Sequence, residues 1–354
     1  MTEPRVLGLD DEAAWRQALP ADLGAFGGVE FARIRHLHAG VDPRLFVLDG
    51  AGGPIAHPLH LRSTAELGLG PGLDRLYDAA SPPFCGPRSS REPDAASASA
   101  FAQALATWCA STGIVTEFDH LHPWHARTQP LDEAGIELDR EIVYVDLTLS
   151  DEEMWRDSYT HACRKNVNRA RRQGVRVYAA EDDDDAREVH RIYAMTMDRR
   201  GALPEYRFGP EYFAAFGELM PSNSRILLAE HSGEVVAATL YLHDADDVYS
   251  YLGGADGAAQ SVRPTNAIVD EIIRWGRSEG KRRLILGGGY GPDDGILRFK
   301  ASFSPLRAQF RVYGHVHMPA EYEALCEAWR QRHGRDPDPG GFFPPYRAAP
   351  AQPG

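Results

Sequence analysis

Cysteine is scarce in this chain. Four occur in 354 residues (Cys85, Cys109, Cys163 and Cys326), widely spaced and without a C-x-x-C pair. That spacing excludes a disulfide framework or a ribbon-type zinc site, so reduced thiols and no structural metal are expected. Long apolar runs are also missing. None approaches the roughly 18 to 20 residues that a bilayer-crossing helix needs, so no membrane span is expected. The opening "MTEPRVLGLDDEAAW" has neither the basic start nor the apolar stretch of a secretory leader, which makes a cytoplasmic location the expectation. Positive charge is in deficit: 38 Lys and Arg stand against 51 Asp and Glu, a formal net charge of −13. A protein that coats nucleic acid indiscriminately, or binds DNA as its partner, is thereby disfavoured, although one basic patch can still dock a defined anion. Finally, no Ser-His or Cys-His nucleophile signature is visible.

What is present reads as mixed α/β. At about 150 residues per domain the length allows two domains, placed at 1–148, with 318–354 as a segment that can complete it, and 149–317. In the first, "RLFVLDGAGGPIAHPLHLRS" is a hairpin, and "ASASAFAQALATWCASTG" is an amphipathic helix through Phe101, Leu105 and Trp108, stopped by Gly113. The strands "IVTEF" and "EIVYVDLTL" follow. In the second, Ser150 caps a helical stretch that turns basic towards residue 172. "VRVYAA" is a strand, "DDAREVHRIYAMTMDRR" a helix, and "RILLAEHSGEVVAATLYLH" a hairpin. "DVYSYLGG" then feeds "RPTNAIVDEIIRWGRSEG", a helix with Ile268, Ile272 and Trp275 on one face and Thr265 or Asn266 as its N-cap. The strand "RRLILGGG", a run "FRVYGHVHMP", a helix over about 320–333 and a Pro/Gly-rich tail complete the chain.

The join between "VYSYLGGAD" and the helix after it presents backbone N–H groups and a positive dipole end, which suits a phosphate or carboxylate, though a glycine-rich surface loop reads the same way. The order of elements, together with "RKNVNRARRQGVRV", "VYSYLGGAD" before "RPTNAIVDEIIRWGRSEGKRRLILGGG", and "GILRFKASF", resembles the GNAT superfamily. It is closer to the Fem-like branch, the two-domain aminoacyl transferases and their BioF2-like acetyltransferase relatives. "DAASPPFCGP" and "IVTEFDHLHPWH" add weaker support. The resemblance implies two GNAT-type domains, each a mixed, mostly antiparallel sheet flanked by helices. It also implies transfer of an amino acid from aminoacyl-tRNA to an amine without metal or redox cofactor. One departure bears on the donor: "QSVRPT" stands where acyl-CoA GNATs carry a Gln/Arg-x-x-Gly-x-Gly/Ala pyrophosphate loop.

Particular residues acquire roles on this reading. Attack of an amine on an ester makes a tetrahedral oxyanion, and loss of one donor to such an anion costs about 10²- to 10³-fold in rate. Lys300, between Phe299 and Phe303 in a stretch read as the end of a strand, fits that donor, and the resemblance places the Phe299–Lys300 pair at the acyl-transfer site. On an edge strand the same lysine would be only a solvated cation. Tyr251 offers a hydroxyl to the reacting carbonyl or to a proton relay, and Tyr249 shares its strand face, so one of the two can be structural. Lys165, Arg169 and Arg172 make one helix face, with Arg164 beside them, opposite Cys163, Val167 and Ala170. Such a face can hold phosphates of a tRNA or of a nucleotide-linked acceptor, or simply be solvated. Arg199 and Arg200 bind an anionic group or complement a helix end. "HLHPWH" gathers His120, His122 and His125 without metal spacing, Asp182 to Asp185 read as a solvated run, and Asp293 and Asp294 as a base or a turn.

The expected activity is amide-bond formation by direct attack, with aminoacyl-tRNA as donor and an amine such as a cell-wall precursor or small metabolite as acceptor. The alternatives are an acyl-CoA-dependent N-acetyltransferase and a non-catalytic GNAT-like binding module; a monomer or dimer is expected.

Overall fold

The computed structural model describes residues 3–20, 23–125, 131, 136–202, 206–289, 295–337 and 342–348. In chain order its elements begin with β1 (Arg5–Leu7), α1 (Glu12–Ala18), α2 (Gly24–Gly27), α3 (Val29–Ala39), β2 (Asp42–Gly50), β3 (Gly53–Ser63), β4 (Tyr77–Ala80), β5 (Arg88–Ser89), α4 (Ala95–Thr112) and β6 (Ile114–Leu121). Then come β7 (Ile136–Asp146), α5 (Asp151–Glu153), α6 (His161–Arg172), β8 (Arg176–Ala179), α7 (Asp183–Arg200), α8 (Pro210–Leu219), β9 (Ser224–His231), β10 (Glu234–His243) and β11 (Asp247–Ala255). The last are α9 (Pro264–Ser278), β12 (Arg283–Gly287), α10 (Gly295–Ala301), β13 (Arg307–Val316) and α11 (Pro319–His333).

Two units result. The first comprises residues 1–36, 40–139 and 310–354, the second 37–39 and 140–309. The breaks thus fall at 139/140 and 309/310, inside β7 and β13, rather than at 148/149 and 317/318. In the first unit the strand order is β1-β2-β3-β4-β6-β13, with β5 on β3; in the second it is β7-β12-β11-β10-β9-β8. Both sheets are mixed and mostly antiparallel, as expected. Each has one parallel pair joined by a crossover helix: β4 and β6 through α4, β11 and β12 through α9. The strand beyond that pair is borrowed in both cases, because β13 follows the second unit in sequence yet pairs with β6, while β7 pairs with β12.

The apolar stripes read from the sequence are the buried ones. On α4, Phe101 and Leu105 are buried with Cys109, and Gly113 takes φ +81° as the helix stop. On α9, Ile268 and Ile272 are buried against Val143, Val145, Tyr241 and Val248. The start of α9 differs from expectation. Pro264 occupies its first position and Arg263, not Thr265 or Asn266, is the N-cap, because proline's fixed φ suits the first helical residue. The stretch ending in Lys300 also differs: it is helix α10, not strand. Asp182 caps α7 by accepting from the Asp185 N–H, so most of the acidic run is its first turn rather than a loop. Within the tail, residues 342–348 include Tyr346, whose hydroxyl donates to buried Asp78, with Arg347 on the same carboxylate. All four cysteines are free and buried, and among the described residues no helix is long and apolar enough to cross a membrane.

Candidate functional site

The second unit opens at the carboxyl ends of its parallel strands. β11 and β12 pair only from Asp247↔Arg283 to Tyr249↔Ile285, although β11 runs on to Ala255 and β12 to Gly287. Beyond Tyr249 the two strands part, which leaves a backbone edge of β11 open towards β12 among the described residues. A bulge at the same level adds to this. Leu240 faces Leu252 and Tyr241 faces Ser250, so Tyr251 is the extra residue in its strand. Bulges re-aim side chains and recur beside active sites. Tyr251 is half-buried, and its hydroxyl lies 2.9 Å from that of Tyr212 on α8.

Lys300 reaches the neighbouring strand end. From α10 its Nζ donates to the carbonyl of Gly288 at 2.7 Å, and a β-carbon on Gly287 would stand 3.3 Å from that ammonium. Gly287, with φ +81°, therefore keeps space for the lysine in a backbone conformation that L side chains rarely adopt. Phe299 packs against the core and on Phe303, ring centroids 5.4 Å apart. Phe303 is fully buried, so Phe299 anchors α10 and Lys300 projects from an anchored turn.

A cleft of about 410 Å³ lies at the start of α9, lined by Lys165, Asn166, Arg169 and Arg172 of α6 together with Arg263. Since α9 leaves the carboxyl end of β11, this cleft and the strand opening belong to the same end of the sheet. The basic face of α6 is exposed, and its opposite face, Cys163, Val167 and Ala170, is buried. Asp270 of α9 joins the two helices by accepting from Tyr159 Oη at 3.1 Å, Arg171 at 2.8 Å and Arg274 at 3.0 Å. Arg263 holds φ +62°, the left-handed region, where a non-glycine residue is uncommon. Its Nε is buried with no hydrogen-bond partner among the described residues. Backbone donors are sparse here: Pro264 has none, Asn266 N–H returns to the Arg263 carbonyl at 3.1 Å, and Arg263 N–H goes to Gln260 at 3.2 Å. Cationic side chains, not a backbone cradle, make this cleft.

Several sequence candidates are committed elsewhere. Arg164 Nη1 donates to the carbonyls of Trp155, Arg156 and Tyr159 at 2.5–3.2 Å, ending the turn before α6 instead of facing a substrate. Tyr249 is 2% exposed and donates to Asp244 at 2.8 Å, so it is a core residue. Arg199 donates to the Ala255 carbonyl at 3.1 Å, and Arg200 sits in the last turn of α7, where a cation complements the dipole. Gly253 lies in β11 against Ala238 and Thr239 of β10, and Gly254 against Ile192 and Thr196 of α7, with no room for a side chain at either. His120 lies on β6. Asp293 and Asp294 lie outside the described residues. Of the groups not singled out by sequence, Arg263 carried a signal, since it precedes a proline at a helix start; Tyr212 and Asp270 carried none.

Burial also bears on the chemistry available. It pushes the Cys163 thiol up to about 12 and the Cys109 thiol higher still, so neither is a ready thiolate nucleophile.

The chain is built from two mixed α/β units, and the second carries this opening. Residues 158–301 match the family model described as an acetyltransferase (GNAT) domain. The whole architecture is shared with FemX (TM-score 0.66, 11% identity), over 91% of this chain and 99% of that one. A tandem GNAT protein from the clavulanic acid biosynthesis pathway matches at TM-score 0.51 and 14% identity, over 90% and 99%. The C-terminal domain of a protein named as a lysylphosphatidylglycerol synthetase, from Agrobacterium fabrum, matches at 0.55 and 13%, over 90% and 93%. In fold the chain is similar to these proteins. No curated protein matches it in sequence.

Proposed function

We propose that the second unit transfers an aminoacyl group from aminoacyl-tRNA to an amine acceptor, such as a cell-wall precursor or small metabolite, in the cytoplasm. The observation that carries the donor assignment is the cleft of Lys165, Arg169, Arg172 and Arg263. With Pro264 and Asn266 unable to offer backbone donors there, the cationic side chains are the main groups for holding an anion. That suits the spread phosphates of a nucleic-acid end better than the compact pyrophosphate of CoA. FemX and the lysylphosphatidylglycerol synthetase domain, whose fold this chain shares, support the aminoacyl class.

The chemistry needs no covalent enzyme intermediate. The acceptor nitrogen attacks the ester carbonyl, the C–O bond to the terminal ribose breaks, and the ribose hydroxyl leaves with a proton that the amine gives up. Lys300, tied to Gly288 at the strand opening, stabilises the oxyanion. Tyr251, its hydroxyl paired to that of Tyr212, hydrogen-bonds the carbonyl or relays the proton.

Purified protein is incubated with a charged tRNA pool or with acetyl-CoA, each with an amine mixture. Amine-dependent deacylation of tRNA is expected, with Lys165→Glu/Arg169→Glu raising KM about tenfold or more and leaving kcat nearly unchanged. Turnover of acetyl-CoA but not of tRNA overturns the donor; binding without turnover of either overturns the enzyme reading in favour of a binding module.

A further inference from the structure

A second group of titratable side chains lies in the first unit. His57 on β3 and Glu117 and Asp119 on β6 are 0–2% exposed. They sit on the sheet face covered by α4, whose Phe101, Leu105 and Cys109 pack with Leu59, Leu61 and Ala79. His57 Nε2 lies 2.7 Å from Glu117 Oε1 and 3.4 Å from Asp119 Oδ2. His317, just past β13, contacts the other Glu117 oxygen through Nε2 at 2.9 Å.

Neither Asp119 oxygen has a hydrogen-bond partner among the described residues, nor has the Nδ1 of His57 or His317. A carboxylate buried without donors is costly, and buried charges in proteins are normally paired or bound to metal. One ligand atom from each of His57, Glu117 and Asp119 lies within 4.8 Å of the others. Ligands on a tetrahedral ion with bonds near 2.0–2.1 Å stand about 3.3 Å apart, so the 3.4 Å between His57 and Asp119 already fits and Glu117 needs a small outward shift. His317 on the second Glu117 oxygen is the kind of outer partner that orients a ligating carboxylate.

We propose that His57, Glu117 and Asp119 bind a divalent transition-metal ion of the zinc class. One imidazole and two carboxylates are a borderline N/O set, unlike the all-oxygen shells of calcium or magnesium. The ion neutralises the buried carboxylates and ties β3 to β6. Through Glu117 and His317 it also pins the end of β13, a strand that arrives 200 residues after its partner side chain. The expectation of no structural metal rested on cysteine spacing, which does not address a His/carboxylate set drawn from two separated strands.

The test uses the full chain, stripped with a chelator, equilibrated with Zn²⁺ and freed of excess. About one zinc per chain by elemental analysis is expected, with N/O scatterers near 2.0–2.1 Å at the zinc edge. Melting should rise by about 5 °C or more over the stripped protein. Asp119→Asn should lose both the metal and the zinc-dependent rise; should it fail to fold, His57→Gln serves the same purpose. Wild-type protein that retains no zinc and melts unchanged overturns the proposal. So does equal zinc uptake by wild type and both variants, which would mark surface binding.

Discussion

On the proposed function Lys300 has two duties, and one substitution tests both. Its hydrogen bond to Gly288 links α10 to the end of β12, and its charge stands beside that strand end. A hydrogen bond from a charged ammonium is worth about 1.5–3 kcal/mol of stability, whereas an oxyanion donor is worth about 10²- to 10³-fold in rate. Lys300→Ala is therefore expected to lower acyl transfer at least about 100-fold and to move the melting temperature by only a few degrees, as read by steady-state kinetics beside calorimetry. Parallel loss of activity and stability would make the lysine a structural tether. Arg263 illustrates the same residue-scale logic, because a left-handed backbone and a buried Nε without a hydrogen-bond partner among the described residues occur where an anion is expected.

Among the elements, the parallel pair β11 and β12 with α9 between them builds the site, and α7 holds β11 from the other side. The glycines of "LGG" in β11, upstream of the join read as suited to an anion, pack closely against neighbouring elements. A β-carbon on Gly254 would lie 2.9 Å from the Ile192 carbonyl oxygen and clash with Thr196 Oγ1. Overpacking of this kind costs about 1–3 kcal/mol. Gly254→Ala is expected to lower stability in denaturant by that amount; an unchanged midpoint would show that α7 does not sit hard on the strand. The basic face of α6 could be drawn from its i, i+4, i+7 spacing, yet its value depends on α9 presenting Arg263 beside it, which Asp270 enforces through Arg171 and Tyr159.

Across the molecule, stability should respond to acid through buried neutral histidines. Burial, with Arg35 and Arg62 nearby, lowers His60 to about 3; burial, with Lys281 and Arg225, lowers His243 to about 4. Both folded values lie below the unfolded value of about 6.5, so the unfolded chain takes up protons first as pH falls. The stability these groups contribute is whole above about pH 6.5 and is lost as pH falls towards the folded values. For fully buried His60 the loss is about 2 kcal/mol by pH 5. Melting between pH 7 and 4 is expected to fall less steeply in His60→Gln than in the parent; equal slopes would contradict the assignment.

Helices and strands followed from local chemistry: Phe101 and Leu105 on α4, and Ile268 and Ile272 on α9, are buried as their spacing required. The GNAT resemblance was legible for the same reason, since it rests on the order of such segments. Spacing misjudged the place of Lys300, because a short glycine-flanked run suits helix or strand equally, and the packing of Phe299 and Phe303 decided it. Only tertiary structure settled that β7 pairs with β12 and β13 with β6, that β11 and β12 part after Tyr249, and that His57 meets Glu117 sixty residues away. Periodicity reports which face of an element is apolar. Which distant elements meet depends on the whole core finding one packed arrangement, and the site is made where those distant elements meet.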